Sequence, residues 1–163
     1  MSPRLKFSLL ALALALLSVA RAELKVGDAF PSLAAAQLVG DTPDLAGKVA
    51  VVDFFASWCG PCKVSLPVYA KLYTDYAAKG VVIVAVGIDD TAAKHDAFVK
   101  KLALPFPTPN DRAKKLVSIV EVPTMPTSYV LGRDGRVRFV HVGFHGAESA
   151  RALRQQLDAL LAE

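Results

Sequence analysis

Apolar and polar positions divide this chain into short, well-separated segments. Val49 to Phe55 and Val81 to Ile88 are Val-rich apolar runs bounded by Gly, Asp or Lys, the pattern of strands buried on both faces of a sheet. Between them, Cys62 to Ala78 places Leu66, Tyr69, Ala70, Leu72, Tyr73 and Tyr76 at the spacing of one helical face. Together they predict a βαβ unit. Ala92 to Leu102 reads as a helix capped by Thr91, and Leu104-Pro105-Phe106-Pro107-Thr108-Pro109 holds too much proline for anything but extended or looped backbone. Arg112 to Ile119 predicts a short helix. Thr127 to Leu131 and Val137 to Val142 predict a hairpin turning at Gly132-Arg133-Asp134-Gly135, and Ala147 to Leu161 a closing amphipathic helix. The pattern is that of an α/β domain with a central mixed sheet flanked by helices and a helix-loop insert after the βαβ unit.

The first 22 residues follow a different rule. A basic start at Arg4 and Lys6 leads into an apolar stretch from Phe7 to Ala20, and Ala20-Arg21-Ala22 suits cleavage before Glu23. The expectation is a secretory signal peptide over 1–22 and one domain over 23–163, released to the periplasm. A retained membrane anchor is disfavoured, because the apolar stretch of 14 residues falls short of the roughly 20 that span a bilayer. No cysteine lies near the cleavage site to carry a lipid. Arg4, Lys6 and Arg21 would leave with the signal, so the formal charge falls from +4 to +1 and nucleic-acid binding has no support. A soluble monomer is expected.

Only two cysteines occur, Cys59 and Cys62, and they follow directly on the first apolar run. As a structural staple the pair would close too short a loop to remove much unfolded-state entropy. A structural zinc site needs four ligands, and beyond the pair the chain offers only His95, His141 and His145. What remains is a reactive dithiol. A helix beginning at Cys59 would stabilise a thiolate there through its unpaired N–H groups, making Cys59 the nucleophile and Cys62 its resolving partner. Asp53 lies in the same apolar run, where desolvation should raise its pKa and suit it to accept the Cys62 proton.

The run Trp58-Cys59-Gly60-Pro61-Cys62 resembles the active-site motif of thioredoxin, with Asp53 where that family keeps a buried acid and Pro67 where its active-site helix kinks. Met125-Pro126-Thr127-Ser128-Tyr129 resembles the second family signature, which implies a cis bond before Pro126 and a substrate groove between it and the dithiol. Pro123 competes for that role, but strand and turn fall correctly only when Pro126 is taken. Leu45-Ala46-Gly47-Lys48 and the insert from Asp89 to about Ile119 are closer to the TlpA/ResA branch of extracytoplasmic thiol-disulfide reductases, many of which serve cytochrome c maturation.

The resemblance implies a thioredoxin-like fold with Cys59, Cys62, Asp53 and Pro126 in catalysis and Trp58, Gly60, Pro61 and Met125 against the substrate. It implies no metal and no cofactor. Exported disulfide-bonded proteins would be the substrates, with a membrane thiol carrier as electron donor, since an oxidising compartment does not keep a dithiol reduced. Asp89 or Asp90, at the end of the second strand, is a candidate for tuning the cysteines. Peroxidase chemistry is not indicated, because the proline and Ser/Thr that a peroxiredoxin places before its cysteine are missing before Cys59. Two rivals stay open: a copper-binding or metallation module that adds His141 and His145 to the thiols, and a dithiol oxidant of the DsbA kind. Gly60-Pro61 and the absence of a histidine between the cysteines favour a reductant.

Overall fold

The computed structural model of the protein describes residues 23–163. The expected signal segment, 1–22, lies outside the described residues. A four-stranded sheet of β1 (Ala50–Phe55), β2 (Val82–Gly87), β3 (Thr127–Leu131) and β4 (Val137–Val142) has the order β2-β1-β3-β4. β1 pairs parallel with β2 and antiparallel with β3, and β3 pairs antiparallel with β4. Helices α1 (Cys62–Tyr76), α2 (Ala92–Leu102), α3 (Lys115–Val120) and α4 (Ala147–Leu161) complete the architecture. This is the thioredoxin-like fold that the sequence implies.

Every residue of β1 is buried, so its alternation sorts side chains between two cores rather than between core and water. Val51 and Phe55 join Leu66, Tyr69 and Leu72 of α1 and Leu153, Leu157 and Leu160 of α4. Ala50, Val52 and Phe54 face the other way, onto Leu116 and Val120 of α3, Leu33 and Tyr129. Asp53 shares the parity of Val51 and Phe55, which puts a carboxyl on the face that carries the dithiol helix.

The proline-rich segment does more than connect. The carbonyls of Pro107 and Pro109 accept from Ala85 N (3.1 Å) and Gly87 N (2.9 Å), while Asn110 and Val39 exchange bonds of 2.8 and 2.9 Å. It thus covers the outer edge of β2, and prolines suit such a strip because they bring no donors of their own to leave unpaired. At Gly87 a side chain would collide with the His95 ring, which lies 5.7 Å from Phe55 in a stacked pair. His95 Nε2 is bonded to the Thr108 carbonyl at 2.8 Å, so this histidine is a packing residue beneath the insert.

Two expected helices start or end differently. α3 begins at Lys115 rather than Arg112, because Lys114 is left-handed (φ 55°) and the Asp111 carboxylate accepts from Lys115 N (2.9 Å) and Val117 N (2.8 Å). That cap fixes the first turn and leaves 112–114 as its lead-in. α1 ends at Tyr76, followed by a short 3-10 turn over Ala77–Lys79 and a left-handed Gly80. Thr91 caps α2 as expected, accepting from Lys94 N at 3.4 Å.

Candidate active site

The C-terminal end of β1 and the N-terminal end of β3 share one edge of the sheet, since the two strands run antiparallel with Phe54 opposite Thr127. The chain leaves β1 through Ala56 and Ser57, turns at Cys59 (Cys59 N to Ala56 O, 3.0 Å), and enters α1. Cys59 and Cys62 form a disulfide with an S–S distance of 2.02 Å. Cys59 keeps 4% of its surface in contact with solvent and Cys62 none. Attack from outside is therefore confined to Cys59.

The regular helix starts at Cys62, where the helical periodicity begins, and not at Cys59, the start expected from the thiolate chemistry, because Gly60 and Pro61 form the turn leading into it. The electrostatic consequence survives: Cys62 N donates to Cys59 Sγ at 3.1 Å, so the first free N–H of α1 points at the outer sulfur. Pro67 lies inside α1 as expected, leaving the carbonyl of Lys63 without its helical donor.

Asp53 is fully buried, and its pKa is pushed up to about 8, first by desolvation and against the opposing effect of the Ser128 and Tyr69 hydroxyls. Ser128 Oγ donates to Asp53 Oδ1 at 2.8 Å, and Tyr69 Oη lies 2.5 Å from Ser128 Oγ. Asp53 Oδ2 is buried with no partner among the described residues. The sequence marks Asp53, but it gives Ser128 and Tyr69 no role at the carboxylate, because only the β1–β3 pairing brings Ser128 there and only the packing of α1 brings Tyr69.

The Met125–Pro126 bond is cis and is the one cis bond among the described residues, so Pro123 does not take that role. Pro126 is buried at the head of β3, and its carbonyl accepts from Gly143 N at 2.8 Å. Met125 is half-buried against both cores. Gly60 and Pro61 are exposed, and Trp58 stands out with 66% of its surface free. The indole is thus a projecting surface group next to the dithiol.

Asp89 and Asp90, indistinguishable in the sequence, part company here. Asp89 is 1% exposed, and its carboxylate accepts from Ser57 N (3.1 Å to the nearer oxygen) and Ser57 Oγ (2.7 Å), which ties the loop before Cys59 to the end of β2. Asp90 is at the surface, ion-paired with Lys114 at 2.9 Å, and this partner holds its carboxyl below the usual range. Lys114 Nζ also donates to the Ile88 carbonyl. His141 Nε2 is engaged with Gln156 Oε1 of α4 at 2.7 Å, and His145 donates its backbone N–H to Ser149 Oγ at 2.9 Å. Among the described residues no three or more His, Cys, Asp or Glu side chains stand together as a metal site.

The Redoxin family model matches residues 25–157. A thiol-disulfide oxidoreductase ResA of Oceanobacillus iheyensis is 34% identical over 126 residues, covering 73% of this chain and 66% of that relative, just under two thirds of its length. The ResA of Bacillus cereus is 30% identical over 138 residues, 83% of this chain and 80% of the relative. Among solved structures, a Chlorobium tepidum protein with the provisional designation thiol:disulfide interchange protein DsbE superposes with a TM-score of 0.78 at 35% identity, over 85% of this chain and 99% of that one. With a Cys-x-x-Cys disulfide at the head of α1 in the same fold, the chain belongs to the Redoxin family, as a thioredoxin-like thiol-disulfide oxidoreductase of the TlpA/ResA kind.

Proposed function

We propose that the protein is an exported disulfide reductase in which Cys59 attacks, Cys62 resolves and Asp53 takes the proton. The observation that carries this reading is the asymmetry of the pair: Cys59 keeps a small solvent-accessible edge (4%) and receives the Cys62 N–H, whereas Cys62 has none and lies on the face that holds Asp53. The Cys59 thiolate attacks one sulfur of a substrate disulfide, forming a mixed disulfide and releasing a substrate thiolate. Cys62 then gives its proton to Asp53 and attacks Cys59 Sγ. The Cys59–Cys62 disulfide forms, and the second substrate thiolate leaves. Two electrons pass from protein to substrate, and a reduced thiol carrier must restore them.

Pro126, Met125, Trp58, Gly60 and Pro61 line the approach in this reading, with an extended substrate strand lying against the backbone before Pro126. Export, periplasmic residence after cleavage of 1–22, and a membrane thiol donor are supported by the N-terminal pattern and by the oxidising environment it implies. Among the described residues no helix is long and apolar enough to cross a membrane. A role in cytochrome c maturation is the substrate class suggested by the ResA resemblance. The copper reading draws no support from the site, where His141 is committed to Gln156.

The reduction potential of the Cys59/Cys62 couple, measured against defined thiol buffers, tests the direction of electron flow. A value near or below about −230 mV supports the reductase, and one near −120 mV makes the protein an oxidant.

A further inference from the structure

On the sheet face that carries the dithiol, a run of buried polar groups connects three elements: Tyr69 on α1, Ser128 on β3 and Asp53 on β1. All three residues are at most 1% exposed. Ser128 has one hydroxyl proton, and it is committed to Asp53 Oδ1. The 2.5 Å contact between Ser128 and Tyr69 must then be donated by the phenol. Beyond Ser128 the next acceptor for the Tyr69 proton is Asp53 itself, which receives no direct hydrogen bond from the phenol among the described residues, so the run cannot reverse without stranding a buried O–H. Protonation of Asp53 on Oδ1 would force that reversal, whereas protonation on Oδ2, which has no partner, leaves the run intact.

We propose that Ser128 and Tyr69 are positioning residues for the reaction: they form a one-way relay of donors, Tyr69 to Ser128 to Asp53 Oδ1, that holds the carboxylate and reserves Oδ2 for the proton released during resolution. The proposal rests on the reading of Asp53 as the proton acceptor. No cation takes part. The residues registered opposite Asp53 are Ala85 on β2 and Ser128 on β3, and α4 presents Leu153, Leu157 and Leu160 to this core. The titratable groups on this face are Tyr69, the two thiols once reduced, Tyr73 and Tyr76 farther along α1, the latter bonded to Asp158 of α4, and His95 of α2, which lies beyond Phe55. Two neutral hydroxyls are thus the groups that favour the ionised carboxylate against complete burial, and they hold the value at about 8 rather than higher.

The test follows the Asp53 carboxyl carbon by NMR as a function of pH in the oxidised protein, where the cysteines do not titrate. Ser128→Ala removes the donor to Oδ1 and is expected to raise the midpoint by about one pH unit or more. Tyr69→Phe keeps the ring against Phe144 and should raise it by less, while Ser128→Thr, which retains the hydroxyl, should restore the wild-type value. Tyr129→Phe, the same loss of a buried phenol on the opposite face, should leave it unmoved.

The pH profile for release of the second substrate thiol from the reduced enzyme should shift upward in the same order, and Asp53→Asn should remove the step assigned to Asp53. If Asp53→Asn keeps the wild-type profile, the proton-acceptor reading itself fails. If Asp53→Asn removes the step but Ser128→Ala and Tyr69→Phe both behave like Tyr129→Phe, the relay alone is overturned.

Discussion

On one face of the sheet Tyr69 is 1% exposed and its hydroxyl feeds Ser128 and Asp53; on the other Tyr129 is wholly buried and its hydroxyl meets no partner among the described residues. Tyr129 is held by its ring, 5.6 Å from Phe30 and 6.0 Å from Phe54, and burial pushes its phenol up to about 12. The burial is the same, but the chemistry is not. The α3 face is a packing core that tolerates an orphaned phenol, whereas on the α1/α4 face the hydroxyls of Tyr69 and Ser128 lead to one carboxyl, on the side of the sheet that carries the dithiol helix. Burial of a polar group therefore does not mark function unless its partners lead to the reacting atoms.

The sharpest break between the faces comes from the cysteines. Cys59→Ser should abolish turnover, and Cys62→Ser should preserve the first attack and accumulate a substrate mixed disulfide visible by mass spectrometry. Neither result is expected from any substitution on the α3 face. There the lesion is one of stability: Leu116→Ala empties a fully buried position and should cost about 2 to 5 kcal/mol in urea unfolding, with kcat unchanged where the protein stays folded.

Asp53 links the two kinds of readout through pH. Its folded pKa near 8 lies above the ordinary 3.8, so the folded protein keeps a proton that the unfolded chain has released across that window. Stability contributed by this group is complete below about pH 4 and is lost as pH rises toward 8. Asp53→Asn should thus stabilise the oxidised protein at pH 8 by on the order of a few kcal/mol, with the gain shrinking to little near pH 4. The same substitution should slow resolution. Equal unfolding midpoints for variant and wild type at pH 8 would contradict the buried, raised carboxyl. The smallest effect belongs to Tyr129→Phe, which removes an unpartnered hydroxyl and should change stability by within about 1 kcal/mol while leaving activity intact.

Much of this was legible along the chain. The hairpin strands Thr127–Leu131 and Val137–Val142, α2 with its Thr91 cap and α4 fall where their periodicity places them, because each reports a local rule: alternation, a cap, an amphipathic stripe. The start of α3 was not legible, since it depends on the Asp111 carboxylate folding forward onto Lys115 and Val117. Asp89 and Asp90 were equivalent as strand-end acids. Only the approach of Ser57, 32 residues earlier, buries one while Lys114 holds the other at the surface.

The sequence by itself determined the redox pair and the order of elements, because neighbouring residues encode them, and its resemblance to thioredoxin pointed to the proline that carries the cis bond. The tertiary structure decided which cysteine is reachable and what surrounds Asp53. Ser128 lies 75 residues from Asp53 and 59 from Tyr69, and the three meet because β1 pairs with β3 in one register while α1 lies over that pair. A hydroxyl's donor direction is set by the acceptors that packing leaves within reach, and those exist only once distant segments are in contact.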